Sequence, residues 1–195
     1  MLPLKLKIIL GSTREGRFGD KPARWIFDAA KNKAEIDAEL LDLRDYPMPF
    51  FNDPVSPAYR KGTHPNEVVA KWAAKIAEAD AFIIVTPEYN HGYPGVLKNA
   101  LDHVFHEWKS KPVAFVAYGG VGGVRAVEQL RLVSIELAMV PMRAAVHIPA
   151  PWTLLDEKGN LKVGAFDQFA QGAENLLTQL SWWADALRFA RMKGA

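Results

Sequence analysis

The sequence predicts a doubly wound α/β fold, in which residues 1–195 form one domain around a five-stranded parallel sheet with helices on both faces. Three observations carry this expectation. Apolar runs without alternation, above all Ala81-Phe82-Ile83-Ile84-Val85 and Pro112-Val113-Ala114-Phe115-Val116-Ala117-Tyr118, read as strands buried on both faces. Each run leads through a glycine-containing loop into apolar residues at helical spacing. A chain of 195 residues, 49% hydrophobic and 24% charged, also buries one sizeable core, and no repeat or low-complexity linker divides it.

In order along the chain, Leu4 to Leu10 reads as the first strand, and Ala23, Trp25, Ile26, Phe27 and Ala30 as a helix after it. Glu39 to Leu43 reads as the second strand. Residues 44–65 hold five prolines and Phe50-Phe51, and so many fixed φ angles argue for a long loop that covers something. Asn66 is placed to cap a helix bearing Val69, Trp72 and Ile76. The third strand is Ala81 to Val85, with Pro94 expected at the first position of a helix reaching Trp108. A fourth strand over Pro112 to Tyr118 leads to Gly119-Gly120-Val121-Gly122-Gly123 and another helix. Ala144 to Ile148 is a short fifth strand, with a turn expected at Lys158-Gly159-Asn160. A last helix runs from about Ala165 to Arg191.

The formal net charge of +2, with no run of five like charges, gives no reason to expect nucleic acid as a partner. No cysteine is present, so disulfides, thiolate metal sites and a catalytic Cys are excluded. Leu2 to Leu10 is too short to span a bilayer and lacks a cleavage pattern, so a cytoplasmic protein without a membrane partner is expected.

In a parallel sheet the carboxyl ends of the strands share one edge, so the loops 11–19, 87–95 and 119–123 are expected to meet. The first is no nucleoside-triphosphate loop, because Arg17 and Phe18 follow Gly16 where Lys and Ser or Thr are needed. Nor is it a dinucleotide fingerprint, since Thr13 stands where glycine must admit a pyrophosphate; Asp42 is the one feature on that side. No Tyr precedes a Lys by four residues as a short-chain dehydrogenase requires. Ser12, Thr13, Arg14 and backbone N–H groups at a helix start suit a single terminal phosphate. On this loop alone, a capped turn with a solvated arginine stays equally open. Tyr89 offers a flat face, Asn90 a polar edge, and Gly119 and Gly120 an unobstructed backbone. His103 and His106 lack zincin spacing and read as surface or packing residues; His91 reads as a polar lining residue. No serine-hydrolase elbow exists. Trp72, Trp182 and Trp183 fall on helical stripes and read as core or subunit contacts.

Gly11-Ser12-Thr13-Arg14, Pro87-Glu88-Tyr89-Asn90 with Pro94-Gly95-Val96-Leu97-Lys98-Asn99-Ala100-Leu101-Asp102, and Tyr118-Gly119-Gly120 resemble the NADPH-dependent FMN reductase family, from the first strand to the helix after Gly123. The resemblance implies a flavodoxin-like fold, bound FMN, NADPH or NADH as electron donor, and a small-molecule acceptor. It implies that Ser12 and Arg14 hold the FMN phosphate with Arg17, Phe18 and Gly19 nearby. Pro87, Glu88, Tyr89 and Asn90 would line the isoalloxazine, and Tyr118, Gly119 and Gly120 its pyrimidine edge. No side chain is expected to act as acid or base. It further implies a homodimer or homotetramer, with Phe50, Phe51 and Trp108 buried between chains. A quinone, azo or chromate reductase on the same scaffold, and a flavodoxin-like electron carrier, are the alternatives.

Overall fold

A computed structural model describes residues 2–62 and 64–194. Its elements are β1 Leu4–Leu10, α1 Asp20–Lys31, β2 Ile36–Asp42, α2 Glu67–Glu78, β3 Ala81–Pro87, α3 Gly95–Asp102, β4 Pro112–Gly119, α4 Val124–Glu136, β5 Val140–Pro149 and α5 Ala170–Met192. All five strands are parallel, in the order β2-β1-β3-β4-β5. This is the flavodoxin-like order, whose reversal point lies between β1 and β3.

The apolar runs of β3 and β4 divide their side chains between two cores. Ile83, Val85, Ala114 and Val116 pack with Ile26 of α1 and Leu176 and Leu180 of α5. Phe82, Ile84, Phe115 and Ala117 pack with Trp72 of α2, Leu97 of α3 and Val127 of α4. Burial on both faces removes the polar alternation of a half-exposed strand and holds the carboxyl edge rigid. Asn66 caps α2 as expected, its Oδ1 accepting from the N–H groups of Val68 at 3.0 Å and Val69 at 3.1 Å.

Several boundaries differ from the sequence reading. β2 begins at Ile36, where it pairs with Leu4, and ends at Asp42; Leu43 enters a single 3-10 turn. β5 begins at Val140 rather than Ala144, because pairing with β4 extends its edge past a register irregularity near Val113 and Phe115. α5 begins at Ala170, after a 3-10 turn over Asp167–Phe169. Pro94 caps α3 from outside, with Gly95 the first helical residue.

α3 also stops at Asp102 instead of reaching Trp108, and Trp108 is not an intersubunit aromatic. It is fully buried in its own chain, its ring 4.8 Å from Phe82 and 6.1 Å from Trp72, with Nε1 donating to the Leu101 carbonyl at 3.3 Å. Turning the chain after Asp102 lets the indole fill the space between α2 and β3, a larger gain than one more exposed helical turn. The proline-rich segment is fastened to α3. Asn99 accepts from the Phe51 N–H at 2.8 Å and donates to the Pro49 carbonyl at 2.9 Å, and His103 Nε2 donates to the same carbonyl at 2.9 Å. His103 is thus a packing histidine. Trp72 belongs to the core, whereas Trp182 lies exposed on α5.

Opposite the loop edge, the buried Lys111 donates to the Ile76 and Ala77 carbonyls at the end of α2, at 2.8 and 3.0 Å. Burial pushes its ammonium down to about 8, with nearby Arg191 adding to the effect and Asp80 and Glu107 opposing it. Between about pH 8 and 10.5 the unfolded chain therefore binds more protons than the folded one, and stability rises with pH. Urea unfolding across this window is expected to show a rise on the order of 3 kcal/mol that Lys111→Met lacks. Parallel profiles for the two proteins would refute it.

Candidate functional site

The ends of β1, β3, β4 and β5 place four loops around a cleft of about 340 Å3. It is lined by Arg14, Gly16, Arg17, Phe18, Pro87, Glu88, Tyr89, Tyr118, Gly119, Gly120, Pro151 and Trp152. A larger cleft of about 510 Å3 lies under the proline-rich segment. Arg60 there pairs with Asp53, His103 with the Pro49 carbonyl and Asn66 with its own helix, while Arg60 Nε has no hydrogen-bond partner among the described residues. The smaller cleft gathers the strand ends and keeps, among the described residues, an unpaired guanidinium at Arg14, which makes it the candidate site.

Its two first-loop arginines differ in kind. The Arg17 side chain is 2% exposed and fully engaged. It donates to Asp42 at 2.8 Å, to Asp20 at 2.7 and 3.0 Å, and to the Ser12 carbonyl. Burial opposes the charge on Asp42, but Arg17 and the Arg44 N–H outweigh it and hold the carboxyl below the usual carboxylate range. Asp42, the one feature that suited a dinucleotide ribose, is thereby consumed. Arg44 closes the loop from outside by donating to the Thr13 and Arg14 carbonyls. Arg14 is exposed at the cleft, and among the described residues its guanidinium has no hydrogen bond or ion pair.

The loops are cross-linked. Ser12, 1% exposed, shares a 2.9 Å hydrogen bond between its Oγ and Tyr89 Oη. Tyr89 and Gly92 exchange backbone bonds of 2.8 and 2.9 Å around Asn90 and His91, whose φ angles are 50° and 70°. The Glu88 N–H donates to the Tyr118 carbonyl at 3.0 Å, and the Ala150 N–H to the Gly119 carbonyl at 2.9 Å.

Nine of the twelve residues expected from sequence line the cleft. Ser12 lies beneath it, Gly19 behind Tyr118, and Asn90 on the turn beside it. The sequence reading missed Gly16, Pro151 and Trp152. The rule that brought the other loops together extends to the loop after β5, and would have found the last two.

These features define a flavodoxin-like α/β protein whose cleft has a guanidinium unpaired among the described residues, glycine backbone and aromatic walls. The chain matches the model of the NADPH-dependent FMN reductase family over residues 4–153. It is 40% identical over 146 residues to an NAD(P)H-dependent FMN reductase of Schizosaccharomyces pombe, covering 75% of this chain and 72% of that protein. It is 30% identical over 164 residues to a quinone reductase of Pseudomonas putida, covering 79% and 82%. Among solved structures, the flavoenzyme NAD(P)H:(acceptor) oxidoreductase FerB from Paracoccus denitrificans has the same fold, with a TM-score of 0.74 at 22% identity over 94% of this chain and 98% of that one. The chain belongs to the NADPH-dependent FMN reductase family.

Gly19 tests the packing behind the cleft. A Cβ there would stand 2.6 Å from Tyr118 Oη, a buried hydroxyl with no hydrogen-bond partner among the described residues. Gly19→Ala is expected to destabilise the fold by about 1–3 kcal/mol through overpacking. Tyr118→Phe removes the obstructing oxygen, so the double variant should recover most of the loss in chemical denaturation. Strictly additive effects would show that the contact is not the cause.

Proposed function

We propose that this chain takes a hydride from NAD(P)H onto bound FMN and passes the electrons to a small-molecule acceptor. The observation that carries the reading is Arg14, which unlike Arg17 has no carboxylate partner among the described residues and faces a cleft walled by Tyr89, Glu88 and the Gly119-Gly120 backbone. The residues present fit a flavin mononucleotide. Arg14 and the loop N–H groups suit one dianionic phosphate, and a Cβ added at Gly120 would meet none of the described residues within 4 Å. Arg14 would bind the phosphate, with Ser12 fixing the loop beneath it through Tyr89. Pro87, Glu88, Tyr89 and Asn90 would support one side of the ring, and Tyr118, Gly119 and Gly120 its polar edge. Bound flavin supplies the two-electron chemistry; the protein binds, orients and excludes water. Backbone N–H groups at Gly119 and Gly120 offer fixed dipoles to negative charge at the ring edge. The name of the Pseudomonas relative supports a quinone as one class of acceptor.

An absorbance spectrum of the purified protein is expected to show a flavin envelope that bleaches when NAD(P)H is added without oxygen. A colourless protein that takes up no added FMN would end this reading. Arg14→Lys keeps the charge but loses the two-pronged donor, so FMN should bind about ten- to a hundredfold more weakly while riboflavin, which has no phosphate, is nearly unaffected. Equal weakening for both ligands would place the phosphate elsewhere.

We also infer a homo-oligomer. Phe50 is 86% exposed on the strap fastened to α3, and Phe51 packs against His103 beside it. A second copy over this face would cover Phe50, as aromatics are covered at interface cores. Light scattering is expected to give a dimer or tetramer; a monomer at working concentration would refute this. No helix among the described residues is long and apolar enough to cross a membrane.

A further inference from the structure

Glu88 is a carboxylate on the wall of the cleft for which the proposed hydride transfer has no chemical use. Its side chain is 5% exposed and is gripped from α4. Arg125 Nε donates to its Oε1 at 2.6 Å, the Arg125 N–H donates to Oε2 at 3.1 Å, and Nη2 makes a further contact with Oε1. The same guanidinium reaches His91 through a 2.8 Å contact between Nη1 and Nε2. A guanidinium only donates, so His91 Nε2 is the acceptor in this contact. One helical turn later, Gln129 Nε2 donates to the His91 carbonyl at 2.9 Å. Two residues on one face of α4 thus hold a carboxylate, a ring and a carbonyl of a single loop.

What they hold resists its own geometry. Asn90 and His91 both have positive φ, as a two-residue type I′ turn requires. That turn favours Asn-Gly, whereas the histidine Cβ meets the steric penalty that glycine escapes. Released, the turn would relax, taking Tyr89 from Ser12 and altering the wall that Pro87 to Tyr89 present. The charge matters as well. An unpaired carboxylate there would repel the negative charge that arrives when a flavin is reduced.

We propose that Arg125 and Gln129 are positioning residues for the flavin-facing turn: they hold Asn90 and His91 in the left-handed conformation and neutralise Glu88 where the isoalloxazine lies. This rests on the flavin reading above and extends it to residues outside the cleft lining.

The test uses the full chain and the variants Arg125→Gln, Gln129→Ala and Arg125→Gln with Glu88→Gln. Amide exchange of the flavin-free protein is followed along the chain, together with dissociation constants for FMN and riboflavin and the midpoint potential of the bound flavin. Arg125→Gln is expected to speed exchange at residues 88–92 and leave β1 and β3 as protected as before. FMN and riboflavin should weaken alike, by about tenfold, because the ring site and not the phosphate site is loosened. The potential should fall, since the bare carboxylate disfavours the reduced flavin, and adding Glu88→Gln should restore it without restoring protection of the turn. Gln129→Ala should speed exchange at 91–92 and leave the potential unchanged. Faster exchange throughout the sheet would mean that Arg125 merely supports the fold, and an unchanged turn and potential would mean that it positions nothing; either overturns the proposal. If the unaltered protein binds no flavin, the functional reading fails, while exchange at the turn still decides whether the clamp exists.

Discussion

The buried guanidinium of Arg17 is the constraint on which the site depends. Its charge is removed from water and repaid by Asp42 at the end of β2, Asp20 at the start of α1 and the Ser12 carbonyl between them. Breaking such a pair on one side leaves an uncompensated charge, at a cost of about 3–5 kcal/mol, so the first loop has one arrangement rather than several. That arrangement fixes Ser12 under Tyr89 and leaves Arg14 exposed to the cleft. Two arginines three residues apart are therefore placed oppositely, one as an internal strut and the other exposed at the cleft with no partner among the described residues.

The cleft is not supported by its own loops alone. Tyr89 ties the loop after β3 to the loop after β1, the Tyr118 carbonyl holds it to the end of β4 through the Glu88 N–H, and the Ala150 N–H brings the loop after β5 to Gly119. Behind these links stand strand ends buried on both faces, which have little freedom to move. A turn as unfavourable as Asn90-His91 persists because α4 grips it from outside. Strain held in this way keeps the cleft wall in one conformation.

Nearly the whole architecture was legible in the sequence, because unbroken apolar runs and helical spacing report burial directly. Ala81 to Val85 carries no polar residue because both of its faces are covered. The Asn66 cap and the loops converging after β1, β3 and β4 follow from local chemistry and from the single edge of a parallel sheet. Boundaries were less legible. α3 stops at Asp102 although the spacing runs on to Trp108, because the indole has a better place against Phe82 than on a longer helix. That same burial removed Trp108 from any contact between chains.

The sequence by itself determined the sheet, its strand number and the residue types facing the loop edge, since these rest on periodicity and on side-chain chemistry. Only the tertiary structure decided which arginine was paired. Arg14 and Arg17 are indistinguishable in composition, and Asp42 lies 25 residues beyond Arg17 in the chain. Their pairing depends on β1 lying beside β2, which aligns Leu10 with Asp42. Likewise nothing local joins Glu88 to Arg125; the crossover from β3 through α3 and β4 to α4 brings them into contact. Coulombic and hydrogen-bond partners are chosen by distance in space, and no spacing along the chain records that distance.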